Sequence, residues 1–386
     1  MRQSHLVLKT HLMIPLRVAC IGCGFMSRFH LSVVRDHPGA VIAAVADIRA
    51  EAARAVAAEF GAPRWTTEPE SLLVDPDIDA VILSLTPDVR LPFAKLALRH
   101  GKHLLIEKPA AMRSADLVDL IALRPASVVA ASCSPRVSLL RSSAAARAAL
   151  RQGLVGTPAL IRFRRIQPVG ATPPWAAPPA WRLSQSLNGG GLLINWGNYD
   201  LDLLLSLFDW RLTPSEVSAY TARPGPFAAD HFAPGSDGET HIAATIRFAE
   251  GPVLHYERAE FHLGEIEDVR QICGPLGTLR IESQEPGAPV HLDTRRLGQP
   301  IESRLLYAEP GTRESQHAPG PTGDWIDSIL SSRPPATDLG RALHLTRLIE
   351  AIYQSAQLGR AIRLSPAPAL SPAPSPAPTP ALANRA

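Results

Sequence analysis

The sequence contains little cysteine. Its 386 residues include four, which are Cys20, Cys23, Cys133 and Cys273. The pair at 20 and 23 has the spacing of zinc ligands, but no second Cys pair or His pair completes a site. We therefore predict no metal site, and free thiols suited to a reducing cytoplasm.

The chain also lacks a surplus of charge and any long apolar run. Its 39 basic and 36 acidic residues give a net charge of +3, too small for gripping nucleic acid or an anionic membrane surface. No run approaches the roughly 18 apolar residues of a membrane span, and residues 1–15 lack the pattern of a signal peptide. These absences predict a globular cytoplasmic protein that binds neither nucleic acid nor membranes.

Apolar residues, in contrast, make up 46% of the chain and follow two patterns. Up to residue 134, short apolar strands alternate with helices, which is typical of parallel β-α-β units. Beyond it, helices accompany stretches of alternating polarity, which indicate an antiparallel sheet. We predict an α/β Rossmann domain over 15–134 and an α+β domain with an open, mainly antiparallel sheet over 135–364.

The two ends of the chain are expected to behave differently from these domains. Residues 365–386 contain seven prolines and too few large apolar side chains to bury, so we predict a disordered tail. Residues 1–14 are predicted to be a disordered extension. The last helix, over 339–359, is expected to pack back toward the Rossmann domain.

Gly22 and Gly24 stand in a Gly-x-Gly-x-x-Ser pattern between the first strand and the first helix. The first glycine allows a tight turn, and the second lets a pyrophosphate approach the backbone at the helix N-terminus. Asp47 ends the second strand, where a carboxylate binds both ribose hydroxyls of NAD. NADP stays possible because Arg49 lies close. The predicted cofactor contacts are Gly22, Gly24, Phe25, Met26, Asp47, Ile48, Arg49, Leu85, Thr86 and Pro87.

Lysine occurs at only four positions, so each one is informative. Lys108 lies in the sequence Glu107-Lys108-Pro109 at the carboxyl end of a predicted strand, where ligands bind in open α/β sheets. We expect Lys108 to contact a ligand rather than to be a solvated loop lysine.

Three polar residues interrupt the apolar segment that follows Gly189-Gly190-Gly191. Asn195, Tyr199 and Asp202 are spaced by four and three residues, so on a helix they share one face. Polar groups in such a segment need hydrogen-bond partners or a function. The residues therefore form either a buried polar network or part of a catalytic site.

These motifs resemble, in order and spacing, those of the glucose–fructose oxidoreductase/inositol dehydrogenase/MocA family. The resemblance rests on the glycine-rich turn and on the stretches 101–109, 189–202 and 350–364, and it covers roughly residues 16–364. It implies an NAD(P)-dependent oxidoreductase of sugars, inositols or related polyols. It also implies a homo-oligomer, dimer or tetramer, that assembles through the C-terminal sheet.

The resemblance also implies roles for individual residues. The family's catalytic lysine falls on Lys108, and its Asp-x-Gly-x-His-x-x-Asp motif falls on Asn195, Gly197, Tyr199 and Asp202. This chain departs from the family pattern because Asn195 replaces an aspartate and Tyr199 replaces the usual histidine.

Two further positions bear on the cofactor site. A Trp-Arg pair that lies near the nicotinamide in the family matches Trp181 and Arg182, and a family histidine after the Thr-Pro pair is Leu91 here. Trp181, Arg182, Glu107 and Lys108 complete the predicted cofactor contacts.

We predict the following chemistry for a hydride transfer between nicotinamide and a carbinol carbon. Tyr199 acts as the base, and Lys108 lowers its pKa by opposite charge. Asn195 orients the pair, and Asp202 accepts a substrate hydroxyl. In the reducing direction, Lys108 polarises the carbonyl.

Two alternatives stay open. Some relatives use bound NAD transiently to cleave glycosidic bonds, and retained NAD⁺ without net turnover favours that activity. A non-catalytic dinucleotide- or ligand-binding protein is also possible, because Asn195 and Tyr199 alter the catalytic motif. Dinucleotide binding without turnover of a broad polyol panel favours the second alternative.

The proline-rich tail is expected to be dispensable. Deleting Ser365–Ala386 leaves the melting temperature and the cofactor affinity almost unchanged, because the segment has little apolar surface to bury. Thermal unfolding and cofactor titration of the truncated protein check this. A fall of many degrees shows instead that the tail docks on the folded body.

Overall fold

The computed structural model of the protein describes residues 14–168, 180–223, 235–309 and 320–364. The predicted tail at 365–386 and all but the last residue of the extension at 1–14 lie outside these ranges. Within them the chain forms a parallel sheet followed by a mixed, mostly antiparallel sheet. This confirms the predicted fold class, while the domain boundaries at 134 and 364 remain predictions.

Six parallel strands form the first sheet. They are β1 (Leu16–Ile21), β2 (Ala40–Ala46), β3 (Trp65–Thr66), β4 (Ala80–Leu83), β5 (His103–Ile106) and β6 (Ala130–Ser132), in the order β3-β2-β1-β4-β5-β6. The central strands are almost wholly apolar because separate apolar clusters cover both faces of the sheet. The order reverses between β1 and β4, which is where ligands bind in such sheets.

Five helices accompany these strands: α1 (Phe25–Asp36), α2 (Ala50–Phe60), α3 (Pro69–Val74), α4 (Pro87–Arg99) and α5 (Ser114–Leu123). Helix α1 buries Leu31 and Val34 against the sheet. Helix α2 ends at Gly61, whose φ of 68° suits glycine. Each helix thereby returns the chain to the amino end of the next strand.

Nine strands form the second sheet: β7 (Leu160–Pro168), β8 (Pro214–Ala222), β9 (His241–Phe248), β10 (Val253–His262), β11 (Glu267–Gly274), β12 (Gly277–Ile281), β13 (Val290–Thr294), β14 (Glu302–Tyr307) and β15 (Ile362–Arg363). The order is β14-β13-β12-β11-β7-β10-β9-β8-β15. Neighbours are antiparallel except β7 and β10. Strands β13 and β14 were not predicted, because β14 has mostly exposed residues and no apolar alternation.

Helices cover one face of this second sheet. They are α6 (Arg141–Arg151), α7 (Gln185–Asn188) and α8 (Asn198–Leu207), and a π-helical turn, Leu193–Gly197, leads directly into α8. Asn195, Tyr199 and Asp202 were expected on one helix, and the structure corrects this by placing Asn195 in the π-helical turn before α8. The backbone just before the π-helical turn packs tightly, since a Cβ at Gly191 would lie 2.1 Å from the carbonyl oxygen of Glu239.

The last two helices are α9 (Gly320–Leu330) and α10 (Leu339–Leu358). Trp325 of α9 is fully buried in an apolar cluster of the parallel sheet. In α10, Glu350 accepts the amide of Ser114 at the start of α5, and Ser355 accepts the amide of Ala219 in β8. The last helix therefore contacts both halves of the structure. None of the helices in the described ranges combines the length and apolarity needed to cross a bilayer.

A buried ion pair holds helix α8 to the second sheet. The Asp200 carboxylate accepts hydrogen bonds from Arg258 at 2.8 and 2.9 Å, from Tyr256 at 2.9 Å and from Gln284 at 2.8 Å. The side chains of Asp200 and Arg258 are 0% and 4% exposed. Removing one partner would leave the other charge buried and unpaired.

Asp200→Ala is expected to lower the free energy of unfolding by about 3–5 kcal/mol, the usual loss for a broken buried pair. Glu59→Ala serves as the control, since its bond to Arg28 joins two half-exposed side chains and contributes less than about 1 kcal/mol. Denaturant titration of both variants compares the two losses. Equal losses would show that Asp200 contributes no more than a surface pair.

Candidate active site

The turn between β1 and α1 forms a cradle of backbone amides. Gly22 has a φ of 94°, and a Cβ there would lie 2.3 Å from the carbonyl oxygen of Ser84, so glycine is required. A Cβ at Gly24 would meet nothing within 4 Å and would fill the open side of the turn. The first turn of α1 carries no acidic residue and no side-chain cap. Its amides are therefore available to a pyrophosphate, and the turn fits a dinucleotide.

Asp47 lies beside this cradle at the end of β2. Its carboxylate accepts the amides of Cys23 and Arg49, both at 2.9 Å, and the Nε of Arg49 at 3.2 Å. Partial burial opposes ionisation of Asp47, but these donors outweigh it and lower its pKa. The carboxylate is thus held ionised where a ribose would lie.

The other predicted cofactor residues of the Rossmann half differ in how far they are exposed to solvent. Phe25 and Ile48 are 73% and 81% exposed, as residues at the mouth of a cleft are. Thr86 and Pro87 are the N-cap and the first residue of α4, directly after β4. Met26 and Leu85 are partly buried.

Glu107 does not face the cleft as predicted. Its carboxylate is buried and contacts His30 Nε2 at 3.1 Å and the amide of Lys108 at 2.9 Å. Burial opposes its ionisation, but His30, Lys108 and Arg90 outweigh it and lower the pKa of Glu107 to about 2. Since its oxygens are used inside the protein, Glu107 positions the lysine rather than the cofactor.

His30 completes this network and bears on the predicted absence of metal. Ligand atoms of His30, Glu107 and Cys133 lie within 4.8 Å of one another, a grouping with metal-ligand chemistry. However, Nδ1 of His30 is bonded to Thr322 at 2.8 Å and Nε2 to Glu107. Burial also raises the pKa of Cys133 well above its usual value, which disfavours the thiolate that binds metal. These bonds favour a hydrogen-bonded core.

Lys108 crosses from the end of β5 to the π-helical turn. Its Nζ donates to the carbonyl oxygen and to Oδ1 of Asn195, at 2.7 and 3.0 Å. The predicted positioning of Lys108 by Asn195 is therefore present in the structure. Burial, helped by the nearby charges of Arg182, Arg90 and Arg136, lowers the pKa of Lys108 to about 8.

Tyr199 lies next to Lys108, but not in the predicted relation. The Lys108 Nζ is 5.1 Å from the centre of the tyrosine ring, and the positive charge of Arg136 acts on the hydroxyl. Burial raises the pKa of Tyr199 well above its usual value. The prediction that Lys108 lowers this pKa is wrong, because burial of the phenol outweighs the neighbouring cations.

Asp202 is the second correction among the predicted catalytic residues. It is fully buried, and its carboxylate accepts the hydroxyls of Ser134, Ser138 and Thr337 at 2.7–2.8 Å. Burial raises its pKa to about 6. Because three protein hydroxyls occupy its oxygens, Asp202 cannot take a substrate hydroxyl. Instead it ties α8 to the loop after β6 and to the start of α10.

Trp181 and Arg182 reach the same region from the loop before α7. The Arg182 guanidinium lies 5.6 Å from the ring centre of Trp196, and this ring lies 5.9 Å from that of Tyr199. Trp181 is partly buried. The structure thus places Arg182 beside the predicted catalytic residues.

Several residues of the site were missed. Arg136, His30 and Glu239 are far apart in the sequence and belong to no motif that was considered. Glu239 accepts the amides of Gly191 and Leu193 and thereby holds the start of the π-helical turn. Buried Arg90 donates to the carbonyls of residues 85, 107 and 109 and braces the loop of Lys108. In the sequence, the one signal that could have identified these residues is a charged or ionisable side chain in an otherwise apolar segment.

A cavity of about 240 Å³ lies between the loop after Lys108 and helix α10. Its walls include Met112, Asn198 and Tyr353. No predicted cofactor or catalytic residue lines it, so it is separate from the candidate site.

Comparisons with known proteins agree with this geometry. Residues 16–131 match the model of the oxidoreductase family with an NAD-binding Rossmann fold. Residues 143–280 match the GFO/IDH/MocA C-terminal domain. The two matches follow one another in the order of the two sheets.

Individual relatives span most of the chain. A 1,5-anhydro-D-fructose reductase of Ensifer adhaerens is 29% identical over 324 residues, covering 80% of this chain and 91% of that protein. A D-apiose dehydrogenase of Paraburkholderia graminis is 26% identical and covers 90% and 89%. The structure of a levoglucosan dehydrogenase in complex with NADH superposes with a TM-score of 0.76 at 20% identity, covering 91% and 100%. This last likeness shows the fold.

The geometry at Asp47 predicts a preference for NAD over NADP. A 2′-phosphate would meet the carboxylate, whereas ribose hydroxyls can donate to it. Asp47→Ser is expected to weaken NAD binding by about 10- to 100-fold, the loss of one or two charge-assisted bonds, and to improve NADP binding by freeing Arg49.

Fluorescence titration of both cofactors measures this change. Adding Arg49→Ala to Asp47→Ser should abolish the gain for NADP. Tighter binding of NADP than of NAD by the unaltered protein contradicts the prediction.

Proposed function

Because the chain belongs to the GFO/IDH/MocA family of NAD-binding oxidoreductases, we propose that it transfers a hydride between NAD and a carbinol carbon of a sugar or related polyol. The observation that carries this proposal is the position of Lys108. A lysine at the carboxyl end of β5, bonded to Asn195 and with its pKa lowered to about 8, can exchange a proton near neutral pH.

The residues that would bind the cofactor and the residue that would act on the substrate lie on two sides of the cleft. The glycine turn and Asp47 would hold the pyrophosphate and ribose of the cofactor, and NAD supplies the hydride acceptor when bound. On the other side, the Lys108 ammonium group can donate to the oxygen of a carbonyl or hydroxyl. Asn195 fixes the ammonium group by accepting two of its hydrogen bonds.

Proton transfer is assigned to Lys108 instead of Tyr199. In the oxidising direction, the neutral amine accepts the hydroxyl proton of the substrate as the carbonyl forms. In the reducing direction, the ammonium group returns the proton and stabilises the developing negative charge. Tyr199 stays protonated because burial raises its pKa, and its hydroxyl can orient the substrate oxygen.

The alternatives are weighed against the same contacts. A buried lysine with a lowered pKa is typical of catalytic sites, which argues against a non-catalytic binding protein. Cleavage of glycosides through transient oxidation is distinguished by its lack of net NADH formation. We also propose that the protein is cytoplasmic, that it forms a homo-oligomer and that its domain boundaries lie at residues 134 and 364.

Lys108→Ala is expected to lower kcat/KM by about 100-fold or more, because both the charge and the proton-transfer group disappear. Lys95→Ala, which removes a surface lysine bonded to Asp119, should leave turnover unchanged. Tyr199→Phe should cost less than Lys108→Ala. Steady-state NADH formation over a polyol panel measures all three variants.

The pH dependence supplies a further check on the same assignment. Oxidation should accelerate as the pH rises through about 8, where Lys108 loses its proton, and reduction should slow over that range. Lys108→Arg should remove this change of rate with pH, because arginine keeps its proton. Near-normal turnover of Lys108→Ala contradicts the proposed role of Lys108. The same pH dependence in Lys108→Arg as in the unaltered protein also contradicts it.

A further inference from the structure

Four basic side chains surround the aromatic pair of the candidate site. Lys108 lies over the ring of Tyr199, Arg182 and Arg258 lie over the ring of Trp196, and the charge of Arg136 acts on the Tyr199 hydroxyl. The two rings are 5.9 Å apart. The charges of Arg136 and Arg182 also lower the pKa of Lys108.

The nearby carboxylates are already used by the protein. Glu107 is bonded to His30 and to a backbone amide, Asp200 to Arg258, Tyr256 and Gln284, and Asp202 to three hydroxyls. Glu260 remains, and its charge acts on both Arg182 and Arg258. The oxygens that hold Lys108 belong to Asn195, which is neutral. The basic groups therefore exceed the free negative charge at this point.

Within the described part of the chain, neither arginine makes a close ion pair, although the charge of Glu260 acts on Arg182 from further away and Arg136 is exposed to solvent. In the described ranges, no carboxylate lies within 4.0 Å of Arg136 or Arg182, although ion pairs form at many other arginines. Burial lowers the pKa of Arg182, which shows the cost of keeping this charge partly out of water. The indole N–H of Trp196 is also buried, and it has no acceptor among the described residues. The buried N–H of Trp196 and the partly buried guanidinium group of Arg182 together mark a place for an anion.

We propose that the substrate carries an oxyanion, as a sugar acid or a sugar phosphate does, and that Arg136 and Arg182 hold it beside Lys108. The guanidinium group suits this role because its planar fork pairs with two oxygens of a carboxylate or phosphate. The inference rests on the proposed oxidoreductase function and specifies its substrate class. It places the reacting carbinol at Lys108 and the anionic group toward the two arginines.

The test compares matched compounds that differ in charge. D-Glucose, D-glucuronate, D-gluconate and D-glucose 6-phosphate, with the corresponding galactose series, are assayed with NAD. We expect kcat/KM for one anionic class to exceed that for the neutral sugar by about 10- to 100-fold, the worth of one or two charge-assisted bonds. The acids and the phosphates are separate arms, and they distinguish a carboxylate from a phosphate.

Substitutions assign the preference to the arginines. Arg182→Gln and Arg136→Gln should raise KM for the anionic compounds by a larger factor than KM for the neutral sugars. Arg182→Lys should restore part of the preference, since it keeps the charge. Arg35→Gln is the matched control, because Arg35 is an exposed residue of α1 paired with Asp36.

A binding measurement separates failure of this inference from failure of the proposed function. Calorimetry follows D-glucuronate, D-glucose 6-phosphate and D-glucose titrated into the protein saturated with NADH. Anion binding that Arg182→Gln weakens supports the inference even if no compound is turned over, in which case only the proposed function fails. Turnover of neutral sugars without any anionic preference, or equal losses for both classes in Arg182→Gln, overturns the inference and leaves the oxidoreductase function standing.

Discussion

The bond between the Lys108 ammonium group and Asn195 joins the two halves of the site. Lys108 follows the last residues of β5 in the parallel sheet, while Asn195 belongs to the π-helical turn that covers the second sheet. Both acceptor oxygens are neutral, so they hold the ammonium group without the favourable charge that a carboxylate would add. Burial then dominates and brings the pKa of Lys108 to about 8. The aspartate that the family has at position 195 would favour the charged lysine instead.

Buried carboxylates brace this bond from both sides. Glu107, with His30, fixes the loop of Lys108, and Glu239 accepts the first amides of the π-helical turn. Asp202 ties the following helix to the loop after β6. Each carboxylate is saturated by donors of the protein, which stabilises its burial. The same saturation removes these acids from the cleft, so the charge that a substrate meets there comes from basic groups.

The parts of the site that the sequence alone could locate depend on local geometry. Gly22 and Gly24 lie between a strand and a helix, and a turn of that kind needs positive φ and an open backbone whatever the rest of the chain does. Asp47 follows at the end of the next strand. The errors concern residues whose surroundings come from distant segments. Tyr199 and Asp202 share a helix face as expected, but the charge of Arg136 acts on the first, and hydroxyls from residues 134, 138 and 337 occupy the second.

Local sequence therefore determined the Rossmann half, the glycine turn and the identity of the lysine, because periodicity and turn chemistry act over a few neighbouring residues. Tertiary structure alone decided which ionisable groups are buried and which partners they meet. A pKa depends on solvation and on charges within a few ångströms, and those neighbours are supplied by segments far apart in the chain. The proposed assignment of proton transfer to Lys108 rather than Tyr199 follows from those neighbours. The placement of Lys108 and Arg182 over the rings of Tyr199 and Trp196 likewise exists only in the folded protein.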